Sequence, residues 1–153
     1  LARRRECHGN PKLVHRTAHV VVFNRAGDIL LQKRSLAKDV QPGKWDTAVG
    51  GHLAPGENYE SGARREMAEE LGIASSSPLE FLFNSQIRNS IESENVGVFS
   101  TVSEGPFKFN DVEIDQVRFW TRQELQTELA NGAPAFTPNL VKELHRLLAN
   151  NDA

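Results

Sequence analysis

The apolar positions of this chain follow two different periods. Ala18-His19-Val20-Val21-Val22-Phe23 is a β-branched, apolar run of the kind that forms a buried strand. Asn24-Arg25-Ala26-Gly27-Asp28 is a turn signal, and Ile29-Leu30-Leu31-Gln32-Lys33 reads as the strand that pairs back. Pro42-Gly43 breaks the next loop, and Trp45 to Val49 predicts a short strand running into a Gly50-Gly51 loop. The period then changes. Ala63, Met67 and Leu71 recur every four residues, which predicts a helix over 58–72 with Gly72 as its C-terminal cap. After a Ser75-Ser76-Ser77-Pro78 loop, strands are predicted near 79–87, 95–102 and 114–120. Thr121 with Glu124 three residues on is a capping box, starting a helix that ends near Asn131-Gly132. Thr137-Pro138 opens a last helix that places Leu140, Leu144, Leu147 and Leu148 along one face.

Strands and helices are not strictly interleaved, so the expected class is α+β, an α/β/α sandwich with a mixed sheet between helices. A length of 153 residues favours a single domain spanning 1–153. Because the chain begins at Leu1 rather than Met, a missing N-terminal piece is expected. No internal repeat, low-complexity tract or linker interrupts it.

Composition narrows the function classes. Apolar residues at 39% and charged residues at 25% are ordinary for a globular protein. The formal net charge of -2 gives no global field toward nucleic acid or membrane. Arg3-Arg4-Arg5 is a basic cluster, but no second basic stripe or aromatic platform accompanies it, so nucleic acid is not an expected partner. The one cysteine, Cys7, cannot form an intramolecular disulfide and suits a reducing compartment. No apolar run approaches the ~20 residues that span a bilayer. A cytoplasmic location without membrane association is expected. Oligomeric state stays open, a homodimer included.

The chemistry lies in residues 51–73, GHLAPGENYESGARREMAEELGI. On a helix Glu66 and Glu70 are i,i+4 neighbours with Glu69 beside them, and at ~100° per residue the three carboxylates share an arc of about 100°. Ala63, Met67 and Leu71 take the adjacent arc and can pack on the sheet. Three like charges this close repel unless a cation neutralises them. Hard oxygen ligands select Mg²⁺ or Mn²⁺, and Mg²⁺ keeps waters and binds substrate phosphates. Gly50-Gly51 lets the backbone approach a ligand, since neither residue carries a Cβ. Pro55-Gly56 makes a tight turn that delivers Glu57 near the helix start. Arg65 is placed to pair with a carboxylate and hold its rotamer. A solvated acidic face is the plain alternative for any E-x-x-x-E helix. The Gly-Gly pair, Glu57 and Arg65, all in register, count against it.

At Gly51, Glu57, Arg65, Glu66, Met67, Glu69, Glu70, Gly72 and Ile73 this run resembles the Nudix signature at each fixed position. The resemblance implies a loop–helix–loop that binds Mg²⁺ or Mn²⁺ bridging a substrate diphosphate, with water attacking phosphorus. Carried over, Glu57, Glu66, Glu69, Glu70 and the Gly50 carbonyl are metal ligands, Arg65 supports catalysis, and Gly51 lies against substrate. The base that activates water varies in the family. Glu66, the first box glutamate, and Glu113, an acid outside the box, are both candidates here.

Residues 2–73 also look like the isopentenyl-diphosphate isomerase branch of that superfamily, through HRTAHVVVFN, LLQKRSLAKD and PGKWDTAVGGH. Uncharacterised bacterial Nudix hydrolases related to that branch match better overall. The isomerase resemblance implies a second metal cluster of His8, His15 and His52, with Glu92 as its carboxylate. It also implies that Arg34 and Lys38 contact the diphosphate, where cations beyond the metal are needed. Two departures count against isomerase chemistry. Gly50 stands where that reaction uses a cysteine acid/base, and Glu66 is kept where the isomerases lose it.

The leading expectation is hydrolysis of a nucleoside diphosphate linked to another moiety, or of a similar small organic diphosphate. An isomerase and a non-catalytic binder of phosphorylated ligands are the alternatives. Phe81, Phe83 and Phe99 read as core rather than as a base-stacking platform.

Overall fold

The computed structural model describes residues 14–89 and 93–151. They form a mixed-sheet α+β fold with seven strands and three helices among the described residues, as the periodicities predict. The strands are β1 (His15–Phe23), β2 (Ile29–Arg34), β3 (Trp45–Thr47), β4 (Val49–His52), β5 (Glu80–Arg88), β6 (Ser93–Val102) and β7 (Ile114–Trp120). The helices are α1 (Tyr59–Leu71), α2 (Arg122–Ala130) and α3 (Pro138–Asn151). No helix among the described residues is long and apolar enough to cross a membrane.

Two compact units share these elements. The first takes in 14–21, 49–89, 93–101 and 105–108 of the described chain. In it β1 has β6 as a neighbour and pairs antiparallel with β4, while β5 and β6 pair antiparallel with a register shift between Phe81 and Phe83. Helix α1 packs on β4 and buries Ala63, Met67 and Leu71, the arc adjoining the three glutamates. Its ends are fixed locally. Asn58 caps the start by accepting from the Ser61 N–H at 2.8 Å. Gly72, at φ 71°, caps the end with its N–H on the Ala68 carbonyl.

The second unit takes in 22–48, 102–104 and 109–151 of the described chain. Here β2 lies between β3 and β7, antiparallel to both. The β1–β2 turn is tied by Asn24, whose Oδ1 accepts from the Asp28 N–H at 2.9 Å, with Gly27 at φ 87°. Trp45, Trp120 and Phe136 meet edge to face with centroids 5.3 and 5.1 Å apart. Thr121 and Glu124 form the predicted capping box of α2. Leu140, Leu144, Leu147 and Leu148 are all buried along α3.

The structure corrects one segment. Residues 45–51 do not form a single strand followed by a glycine loop. Trp45–Thr47 pairs with β2, Ala48 intervenes, and Val49–His52 pairs with β1, so Gly50 and Gly51 lie within a strand. A Gly-Gly pair favours a loop, but the backbone there is extended and hydrogen-bonded. What demands glycine is close approach by neighbouring side chains.

Candidate functional site

The acidic box is built by β4 and α1, both in the first unit. In the β1–β4 ladder Gly50 stands opposite His19 and Gly51 opposite Ala18. The Gly50 N–H donates to Glu70 Oε2 at 3.1 Å. A methyl group on Gly51 would overlap the Glu66 carboxylate, and one on Gly50 would come within 3.1 Å of the His19 ring. The Gly-Gly pair therefore brings backbone directly against two carboxylates of the helix.

Arg65 organises the rest. Its Nε and Nη2 donate to the two Glu57 oxygens at 2.8 and 2.9 Å, a bidentate pair. Its Nη1 reaches Glu66 Oε1 at 2.7 Å and Glu69 Oε2 at 3.1 Å. Nη2 also donates to the His52 carbonyl at 3.1 Å, fastening the helix to the end of β4. The Glu57 carboxylate accepts from the Ala54 N–H as well, at 2.9 Å. The Arg65 hydrogen bonds, then that backbone N–H, hold its pKa down to about 2. Glu57 in turn raises the Arg65 pKa, keeping the guanidinium charged.

Glu70 experiences the opposite environment. Burial, then the neighbouring Glu66 charge, push its pKa up to about 8 against the lowering effect of the Gly50 N–H and His19. One carboxylate is locked ionised by a cation of the chain itself, while another, next to Glu66, is left short of positive charge. Glu69 is the exposed member, its side chain 61% accessible.

A second cluster occupies the same unit. His15 and His52 stack with ring centroids 3.8 Å apart. Glu94 Oε2 lies 3.1 Å from His52 Nε2 and 3.5 Å from His15 Nε2. One ligand atom from each residue falls within 4.8 Å of the others, a grouping able to hold a metal ion. The structure thus brings together two of the three sequence-predicted histidines. His8 and Glu92 lie outside the described residues. The carboxylate found beside the pair is Glu94, which sequence reasoning missed. A signal for it exists: Glu94 is in phase with Val96 and Val98, and an acid sharing a buried strand face needs a partner.

Arg34, Lys38 and Glu113 belong to the second unit. Lys38 Nζ pairs with Glu113 Oε2 at 2.9 Å, so two of the candidates face each other. Arg34 donates from Nε to the Val40 carbonyl at 3.0 Å, and its Nη1 lies 3.5 Å from Asp46 Oδ2. Phe83 and Phe99 are buried, whereas Phe81 is half exposed and meets Phe99 edge to face.

Comparison with known proteins agrees with the geometry. The family model for the NUDIX domain matches residues 13–140. An uncharacterised Nudix hydrolase of Yersinia pestis is 38% identical over 143 residues, 92% of this chain and 75% of its own. An isopentenyl-diphosphate Delta-isomerase of Nocardia farcinica is 31% identical, over 91% of this chain and 82% of its own. The crystal structure of a MutT protein from Methanosarcina mazei shares the fold, with a TM-score of 0.75 at 21% identity over 92% of this chain and 96% of that one. With the domain match covering most of its length and its box intact from Gly51 to Ile73, the chain belongs to the Nudix hydrolase family.

Proposed function

We propose that this protein is a divalent-cation-dependent hydrolase of a diphosphate linkage in a small molecule: a nucleoside diphosphate joined to another moiety, or a similar organic diphosphate. The observation that carries this reading is the packing of Glu66 against Gly51, where a methyl group would overlap its carboxylate, with Glu70 beside it accepting from the Gly50 N–H. The donors are hard oxygens, which suits Mg²⁺ or Mn²⁺. Glu66, Glu69, Glu70 and the Gly50 carbonyl would hold the ion. When bound it would neutralise the diphosphate and acidify a water for attack at phosphorus. Arg65, anchored by Glu57 and the His52 carbonyl, fixes the Glu66 rotamer. Glu57, also expected as a ligand, has both oxygens taken by Arg65 and contributes by holding it. Both candidate bases are engaged by a cation, Glu66 by Arg65 and Glu113 by Lys38, and Glu66 is the one that lies within the box.

The test is a screen of nucleotide sugars, dinucleotides and nucleoside di- and triphosphates with Mg²⁺ and Mn²⁺, following release of phosphate or a monophosphate. Turnover is expected for at least one class and is expected to stop in excess chelator. Turnover that survives chelation would refute the reading.

A second expectation follows from residue 50. The protein is not expected to isomerise isopentenyl diphosphate, since Gly50 has no group to move a proton and the His19 ring borders the space its side chain would fill. Dimethylallyl diphosphate formed above a no-enzyme control would overturn this.

The His15–His52–Glu94 group supports a second, separate metal site. Two imidazoles and one carboxylate suit Zn²⁺, Mn²⁺ or Fe²⁺. It would serve beside the box rather than replace it.

A further inference from the structure

We infer that Thr17 is a positioning residue for the histidine cluster: its hydroxyl holds the Glu94 carboxylate in the orientation that turns one oxygen toward the two imidazoles. The inference rests on the proposal that this cluster binds a metal, and it concerns a residue outside the ligand set.

Thr17 is nearly inaccessible, at 3% exposure, and its Oγ1 donates to Glu94 Oε1 at 2.9 Å. The other oxygen, Oε2, is the one directed at His52 Nε2 and His15 Nε2. A carboxylate alone has two equivalent oxygens and turns freely about its last bond. A buried donor on one oxygen restricts that rotation. Thr17 is also suited to hold still, because a β-branched side chain in a strand has little χ1 freedom.

The local topology explains how Thr17 comes to this place. His15 and Thr17 are two apart on β1 and share a face. His52 is the direct partner of Thr17 in the β1–β4 ladder, so its side chain lies on the same face. Glu94 enters from β6, which neighbours β1. Four residues from three strands thus converge, and Thr17 is the only one of them whose side chain is not a metal-ligand type. Its hydrogen bond falls on Oε1, while Oε2 is the oxygen nearest the two imidazoles. A cation bound there would be offered two imidazole nitrogens and a carboxylate oxygen by these three residues, a donor set that suits a first-row transition metal rather than Mg²⁺.

The experiment is Co²⁺ binding by the full chain, followed by visible absorption and by competition with a chromophoric chelator. The variants are Thr17→Val, Thr17→Ala, Thr17→Ser and Glu94→Gln. Thr17→Val keeps the shape and removes the donor, and it is expected to weaken Co²⁺ binding by about 10- to 100-fold, the usual effect of losing a partner that orients a ligand. Thr17→Ala is expected to behave alike, so that a folding defect in either variant leaves the other to decide. Thr17→Ser is expected to bind like the parent with the parent spectrum. If Glu94→Gln weakens binding while Thr17→Val and Thr17→Ala bind like the parent, the role of Thr17 is refuted. A loss in Thr17→Ser equal to that in Thr17→Val would refute it too, because the hydroxyl would not be the cause. If Glu94→Gln itself binds with parent affinity and spectrum, the metal-site proposal beneath it fails.

Discussion

Glu70→Gln is expected to lower turnover by about 100-fold or more while making the metal-free protein more stable at alkaline pH. Both effects have one cause. Glu70 is a buried carboxylate next to Glu66, and in the absence of a cation its pKa rises to about 8 from an ordinary value of 4.5. A group whose folded pKa lies above its unfolded one stabilises the fold fully at pH below 4.5. That contribution shrinks as pH rises and is gone once pH passes about 8. Glutamine has no proton to lose, so the variant escapes this loss. It also cannot supply the negative charge that a divalent cation needs. Thermal melts from pH 5 to 9 in chelator, beside hydrolysis assays with Mg²⁺ and Mn²⁺, measure the two halves independently. Undiminished turnover would exclude Glu70 from the site. Parallel melting curves for parent and variant across that range would show that burial does not strain this carboxylate.

Gly51→Ala is expected to separate folding from function in the other direction. The added methyl would overlap the Glu66 carboxylate, which is the far end of a flexible side chain and can swing aside. The melting temperature should therefore change little. Glu66 would leave its place between Arg65 and the β4 backbone, though, and a misplacement of ~1 Å at reacting groups costs about 100-fold in rate. Weaker Mn²⁺ binding, read by electron paramagnetic resonance, should accompany the loss. A Gly51→Ala protein with parent activity and parent Mn²⁺ affinity would mean that the box does not use Glu66 where it is seen.

Much of this architecture was legible in the sequence because its causes are local. The α1 helix is framed by Asn58 and Gly72, each acting on its own turn, and the α2 capping box involves residues three apart. The box carboxylates converge through helical spacing alone. Three features that depend on distant partners were missed. Trp45 to Val49 carries one continuous strand signal, yet the chain changes partner at Ala48, from β2 to β1. Gly50-Gly51 carries a turn signal, and only the presence of Glu66 and His19 opposite explains glycine in a strand. Glu94 looks like an ordinary acid in a β-rich run. Its partners Thr17 and His52 are 77 and 42 residues away and meet it only through strand pairing.

The four residues of β4 serve two masters. The backbone of Gly50 and Gly51 faces the box glutamates, and the imidazole of His52 enters the histidine cluster. Side chains alternate between the faces of a strand, so inserting or deleting one residue here would turn each of them to the wrong side. Both assemblies would be dismantled by the same event. Substitutions can tune one cluster and spare the other, but length variation in this segment cannot. Descendants of this gene should therefore hold the residue count between Ala48 and Leu53 unchanged for as long as the box is under selection.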